Sequence, residues 1–336
     1  MGERALVTGG GGFLGGAIVS RLVERGDSVR SLARNAYPDL QRLGVETIQG
    51  DVADASSVRR AVSGCDVVYH VAAKAGVWGP FAAYHHANVE GTRQIIAACR
   101  EQGVARLVYT SSPSVVFHGR DMENVDESVP YPNHFKAAYP ATKAEAERLV
   151  RAANSPTLAT VSLRTHLIWG PGDNHLIPRI LARARAGRLR RIGRADKRID
   201  ATYIDNAADA HILAADRLAP GSSVAGKVYF IAQGEPMPLW SLVNAILDAA
   251  GLPPVEQSVP APIAAAGAGL LELVYRALRR TTEPPLTRFV VRELATAHWF
   301  NLDAARRDLG YQARVSTEEG LARLADWFRS TAGTPV

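Results

Sequence analysis

Cysteine is nearly absent: Cys65 and Cys99 are the only two among 336 residues. Two thiols build neither a disulfide framework nor a four-cysteine zinc site, and no metal is expected. Cys99, at helical spacing from Ile95 and Ile96, reads as a core thiol. Aromatics are sparse at 7%, and no apolar run is long enough to cross a membrane. The nearest candidate, Ile263–Leu278, is short and carries Glu272 and Arg276. A core helix is expected there, with a wall for a greasy substrate or an interfacial anchor as the other readings. No leader pattern precedes the first strand-like run, so a reducing cytoplasm is the expected compartment. Acid is scarce in one stretch, where Arg179 to Arg198 set nine Lys or Arg against Asp196 alone. That stretch has no stacking aromatics and no docking element, so nucleic acid is not an expected partner. It reads as a solvated face, with attraction of an anionic substrate, a partner or a membrane surface as the alternative.

Glycine, by contrast, is concentrated. Gly9 to Gly16 holds six glycines in eight positions, directly after the apolar run Ala5–Thr8. Further apolar runs at Val29–Ala33, Val45–Gln49, Val67–Val71, Leu107–Thr110, Thr160–Leu163 and Val228–Ile231 read as buried parallel strands. Helical patterns lie between them: Leu14, Ile18 and Leu22 on one face, then Asn88–Arg100 and Ala141–Ala152. The alternation predicts an α/β fold, a doubly wound parallel sheet of the Rossmann type, with a smaller and mostly helical substrate lobe. Residues 1–170 plus about 199–232 are expected to form the sheet domain, and about 171–198 plus 233–336 the lobe, where prolines recur.

A strand, a glycine turn and an amphipathic helix in that order suit a dinucleotide. Early glycines make the turn, Gly12 lets backbone approach a pyrophosphate, and Gly15 packs helix on sheet. The helix N-terminus offers N–H groups and a positive dipole. The second strand ends Ala33-Arg34-Asn35 with no acid to hold a ribose diol, and Arg34 suits a 2′-phosphate, so NADP(H) is the expected cofactor. Asp51 follows the third strand, either accepting from the adenine amino group or capping the next helix. Tyr139 and Lys143 stand four apart, on one helical face, where an ammonium favours the phenolate and makes the phenol a better acid. Ser111 and Ser112 end the fifth strand, at the edge where parallel sheets bind ligands, and a hydroxyl there can steady a carbonyl oxygen.

Glycine loop, strand-end serine, Tyr139 and Lys143 in this order resemble the extended short-chain dehydrogenase/reductase superfamily, and within it the 3β-hydroxysteroid dehydrogenase-like branch. The resemblance covers nearly the whole chain. It implies Ser112 as the catalytic serine beside Tyr139 and Lys143, with Ser111 as fallback. The cofactor set it implies is Gly9, Gly12, Phe13, Leu14, Gly15, Arg34, Asp51, Val52, Ala72 and Lys143, with Lys143 holding the ribose. Tyr203-Ile204-Asp205-Asn206 resembles a tether between lobes. One departure is Arg164-Thr165, where the family usually has Arg-Pro.

Longer matches narrow the likeness. Ala73–Gly79, Tyr109–Val115, Leu167–Asp173 and Glu283–Phe289 are similar to bacterial reductases that act on 2-alkyl-3-oxo acids in long-chain olefin biosynthesis. The resemblance implies NADPH-dependent reduction of the 3-keto group of a branched, long-chain β-keto acid, and assembly with a β-lactone synthetase and a hydrolase; a homodimer is left open. Lys74, Trp78 and Asn88 are the substrate-side candidates, with Arg179 and Arg183 as other cations for the carboxylate. His118 and His166 are expected to pack or hydrogen-bond. The rivals are oxidation of a 3β-hydroxysteroid or C4-carboxysterol, and a non-catalytic NADPH sensor or scaffold.

Overall fold

The computed structural model describes residues 2–193 and 195–331. Seven strands, β1 (Arg4–Thr8), β2 (Ser28–Ala33), β3 (Glu46–Gln49), β4 (Val67–His70), β5 (Arg106–Ser111), β6 (Ala159–Thr165) and β7 (Val228–Ile231), form one parallel sheet. Their spatial order is β3-β2-β1-β4-β5-β6-β7, so the chain turns back at β1. Ala5 pairs with Val29 on one side and Val67 on the other, and this reversal opens a crevice at the carboxyl edge between β1 and β4.

The strands read as apolar runs because both faces are covered. Leu6, Leu32, Val68 and Leu107 pack against the helix Ala55–Val62 and α2 (Gly91–Gln102) with α3 (Ala138–Ala153). Ala5, Val7, Val67 and Val161 meet α1 (Phe13–Glu24) and α5 (Ile204–Arg217) on the other face. The expected Cys99 core thiol lies in the first of these layers, and burial pushes it up to about 12.

Proline shapes the start of α3. Tyr139-Pro140 lies in its first turn, where the missing N–H of proline has no intrahelical partner to lose. Residues 86–90 wind as a π-helical turn ahead of α2 and carry Asn88. The second half adds α4 (Leu176–Arg185), α6 (Ala261–Ala277) and α7 (Arg288–Leu294). A small sheet lies outside the main one, in the order Met237–Pro238, Arg198–Ile199, His298–Phe300, Met122–Val125. It joins the chain's early and late parts directly, His298 pairing with Met122. Arg194 of the basic stretch and residues 332–336 of the expected lobe lie outside the described residues.

Candidate active site

The glycine loop is tight for steric reasons. Gly9 has φ +71°, and a Cβ on Gly15 would stand 2.1 Å from the Gly9 carbonyl oxygen. Ala72 closes over Gly9 from the end of β4, its Cα 3.2 Å from where a Gly9 Cβ would be. Gly12 caps α1 with no side chain, and the first turn of the helix carries no acid. The amides of Phe13 and Leu14 have no protein acceptor among the described residues. Free N–H groups at a helix start, with no carboxylate to compete, fit a pyrophosphate. A cleft of about 520 Å³ opens beside them, lined by Gly11, Gly12, Phe13, Pro171, Gly172 and Asp205.

Arg34 is exposed at the end of β2 and pairs with no carboxylate among the described residues. Its carbonyl accepts from Gln49 at 2.9 Å. Asp51 is not the cap of the next helix. That is Asp54, which accepts from the Ser57 amide at 2.9 Å. Asp51 instead closes a turn onto the Ala53 amide at 2.9 Å, its other oxygen 3.8 Å from His86. Val52 is buried, its methyl where a side chain on Gly91 would go.

At the carboxyl edge of β5 the two serines part. Ser111 is buried and donates to Glu147 at 2.5 Å. Ser112 is half-buried, 2.9 Å from the Ser114 hydroxyl, and is the group that acts on Tyr139. The structure therefore gives the phenol Ser112 as its neighbour and commits the fallback Ser111 elsewhere. Lys143 is buried beneath, with Nζ 2.5 Å from the Thr110 carbonyl and 4.2 Å from the centre of the Tyr109 ring.

The electrostatics differ from the expected acidified phenol. Burial pushes Tyr139 up to about 12; Ser112 opposes this, and Glu293 adds to it. Burial brings Lys143 down to about 7, with Glu147 pulling the other way. An ammonium held this weakly, and directed at Thr110, does not offset the desolvation of the phenol. The protein alone keeps Tyr139 firmly protonated, which is the state a proton donor needs.

Three further residues complete this wall, and sequence reasoning missed them. Glu147 is fully buried and holds Arg164 through two bonds, of 3.1 and 2.7 Å. It also accepts from Tyr131 at 2.6 Å. Burial works to raise its carboxyl, but Arg164, Ser111 and Tyr131 more than compensate and leave it below its ordinary range. Glu147 stands one helical turn beyond Lys143 on the face shared with Tyr139, and that spacing was the available signal.

Asn88 is buried with its amide fully engaged. It accepts from the Lys74 amide at 2.7 Å, and donates to the Lys74 carbonyl at 3.2 Å and to Thr142 at 3.0 Å. It braces α3 against the loop after β4 and is not turned toward a substrate. Lys74 is half-buried, its ammonium 5.2 Å over the Tyr84 ring, with no carboxylate within 4 Å among the described residues. Arg179 is taken by Glu283 at 3.0 Å, and Arg183 donates to the Pro285 carbonyl at 2.5 Å. Of the three candidate cations, Lys74 is the one without such a partner. Trp78 ties its loop to the turn after α6, its indole donating to the Arg280 carbonyl at 3.1 Å.

Glu293, on α7, reaches the site from the far end of the chain. It is half-buried, with no hydrogen-bond donor or cation among the described residues, and burial pushes it up to about 8. His166 is packed on His298 and Phe300 and its Nδ1–H donates to the Asp200 carbonyl at 2.8 Å, while His118 is exposed.

Comparison with known proteins bears on this arrangement. Residues 6–261 match the model of the 3-beta hydroxysteroid dehydrogenase/isomerase family. A 2-alkyl-3-oxoalkanoate reductase of Stenotrophomonas maltophilia is 52% identical over 96% of this chain and 98% of its own length. A Shewanella oneidensis protein of the same name is 48% identical over 96% of this chain and 85% of its own. Among solved structures, the Thermus thermophilus UDP-glucose 4-epimerase complex with NAD superposes with a TM-score of 0.73 at 25% identity, covering 99% of this chain and 100% of the other.

Proposed function

The chain belongs to the 3-beta hydroxysteroid dehydrogenase/isomerase family and is an oxidoreductase, and from that premise we propose that it reduces the 3-keto group of 2-alkyl-3-oxoalkanoic acids with NADPH. The observation that carries this reading is the trio at one sheet edge: Tyr139 beside Ser112, with Lys143 beneath. The two relatives near half identity supply the substrate class.

A nicotinamide dinucleotide fits the glycine loop, and when bound it supplies the hydride. Gly9, Gly12 and Gly15 shape its cradle, with the Phe13 and Leu14 amides toward its phosphates. Asp51, Val52 and Ala72 border the same crevice. Arg34, without an acid partner, suits a 2′-phosphate. Tyr139 gives its proton to the carbonyl oxygen as negative charge develops there, and Ser112 orients that oxygen by a hydrogen bond. Lys143 holds the cofactor ribose and lowers the cost of the phenolate once the proton has left. Lys74 faces the substrate carboxylate, and Trp78 shapes the pocket above it. We also propose that residues 1–170 with 199–232 carry the cofactor and the remainder the substrate. Association with a β-lactone synthetase and a hydrolase in olefin biosynthesis belongs to the same proposal.

β-Keto acids decarboxylate, so the test runs in reverse. 2-Alkyl-3-hydroxy acids and a 3β-hydroxysteroid are offered with NADP and NAD, and absorbance of the reduced nicotinamide is followed. Turnover of the hydroxy acid with NADP is expected; turnover of the steroid alone overturns the substrate assignment. Arg34→Ala should weaken NADPH binding by about 10- to 100-fold, the worth of a charged hydrogen bond, and leave NADH unchanged.

A further inference from the structure

Helix α6 is built inside out. Its inward face is made of small residues, Ala264 and Ala268, together with Glu272. Its bulky side chains point to solvent: Ile263, Leu270, Leu273 and Leu278 are 60–65% exposed. These positions, with Val274, fall within one side of the helix at its period of 3.6. A helix stabilised by intramolecular packing would turn its leucines inward. A contiguous apolar stripe on the outside marks an interaction surface.

The charges around the stripe are of one sign. Between residues 261 and 282 the only acid is Glu272, and it is turned inward onto Arg288, whose Nε is 2.9 Å away. Arg279 and Arg280 are exposed just beyond the C-terminal end of the stripe, while the Arg276 guanidinium turns to the inner side, 4.0 Å from Glu272 and 5.7 Å from the centre of the Trp78 ring. That end adjoins the Trp78 loop. The Trp78 indole donates to the Arg280 carbonyl, and its ring meets Tyr275 edge-on at 6.2 Å. Phe81, just beyond this loop, is also exposed. No helix among the described residues is long and apolar enough to cross a membrane, so the stripe belongs to a surface contact rather than a span.

We propose that α6 seats the protein on an anionic lipid surface, with Ile263, Leu270, Leu273 and Leu278 in the acyl boundary and Arg279 and Arg280 among the headgroups. Apolar burial with neighbouring cations is the combination that holds an interfacial helix. A second copy of the chain would have to accommodate these arginines, whereas an anionic surface complements them. The Trp78 loop then faces the layer from which a long-chain acid is drawn, a consequence that rests on the proposed substrate; the docking itself does not.

Flotation of the full-length protein with phosphatidylcholine vesicles, with and without phosphatidylglycerol, tests this without any turnover. The protein is expected to float with the anionic vesicles and to be released by salt. Leu270→Glu with Leu273→Glu should abolish flotation while leaving turnover of a short, water-soluble hydroxy acid unchanged. Should that double variant fail to fold, Arg279→Gln and Arg280→Gln together touch only exposed positions and should cost about fivefold in affinity per arginine. Absence of flotation overturns the proposal, as does equal binding to uncharged vesicles. So does a dimer in sedimentation that the leucine variant dissociates, which would assign the stripe to a second copy.

Discussion

Glu147 and Glu293 are two carboxylates drawn toward the catalytic pair from different parts of the chain, one fully and one half buried, and they are treated very differently. Glu147, under the sheet side, receives Arg164, Ser111 and Tyr131 and is held below its ordinary range. Glu293, from α7, has no donor among the described residues and is pushed up to about 8. One acts on Lys143 and favours its charge; the other acts on Tyr139 and disfavours the phenolate. The sheet side is a finished polar network that stabilises and orients. Glu293 is instead a carboxyl left without a partner among the described residues, raised by burial and acting on Tyr139.

The largest effect sharpens this comparison at the group on which both sides converge. Tyr139→Phe should lower turnover by about 10²- to 10⁴-fold, the range for a lost general acid, with cofactor affinity by titration calorimetry and the urea midpoint nearly unchanged. A large fall in the midpoint would mean that the phenol is part of the structural network instead. Next in size, Glu147→Gln leaves Arg164 charged in the core without its counter-charge. About 3–5 kcal/mol of stability should go, read from urea unfolding. The same change removes the group that raises Lys143. The fraction of charged lysine at neutral pH then falls, and the alkaline limb of the pH–rate profile moves to lower pH; a profile that stays in place breaks the link from Glu147 to Lys143.

The smallest effect concerns Glu293. Its carboxyl is raised above 4.5 in the folded protein, so the native state binds the extra proton. That contribution is full below pH 4.5 and is lost as pH rises through about 8. Glu293→Gln should remove this slope, and the variant should be the more stable protein above pH 8, by about 1 kcal/mol given its partial exposure. Parallel stability–pH curves for the two proteins would show that Glu293 has a partner and would erase its contrast with Glu147.

The main sheet was legible because strands covered on both faces are uninterrupted apolar runs, and each was bounded within two residues. The small sheet was not, since strands such as Arg198–Ile199 are two residues long and exist only through tertiary pairing. The Tyr139–Lys143 pair was legible from spacing, whereas strand position left Ser111 and Ser112 open and the family resemblance singled out Ser112. The balance between burial and the lysine's field was not, because it depends on how dry the finished site is. Asn88 was recognised as part of the site, but its amide is spent on bracing rather than on substrate. Glu293 had no signal at all: nothing in the run from Arg288 to Leu294 ties it to a tyrosine half the chain away. In α6 the apolar residues were plain, but their period does not tell which side packs, and alanine took the inside.

The pairing of Met122–Val125 with His298–Phe300 also constrains how the molecule comes into being. The earlier strand leaves the ribosome long before its mate has been translated, so its polar backbone must wait in water or in provisional company. Final closure of the architecture thus waits until His298–Phe300 has emerged, and fragments ending upstream of His298 should hold that edge open.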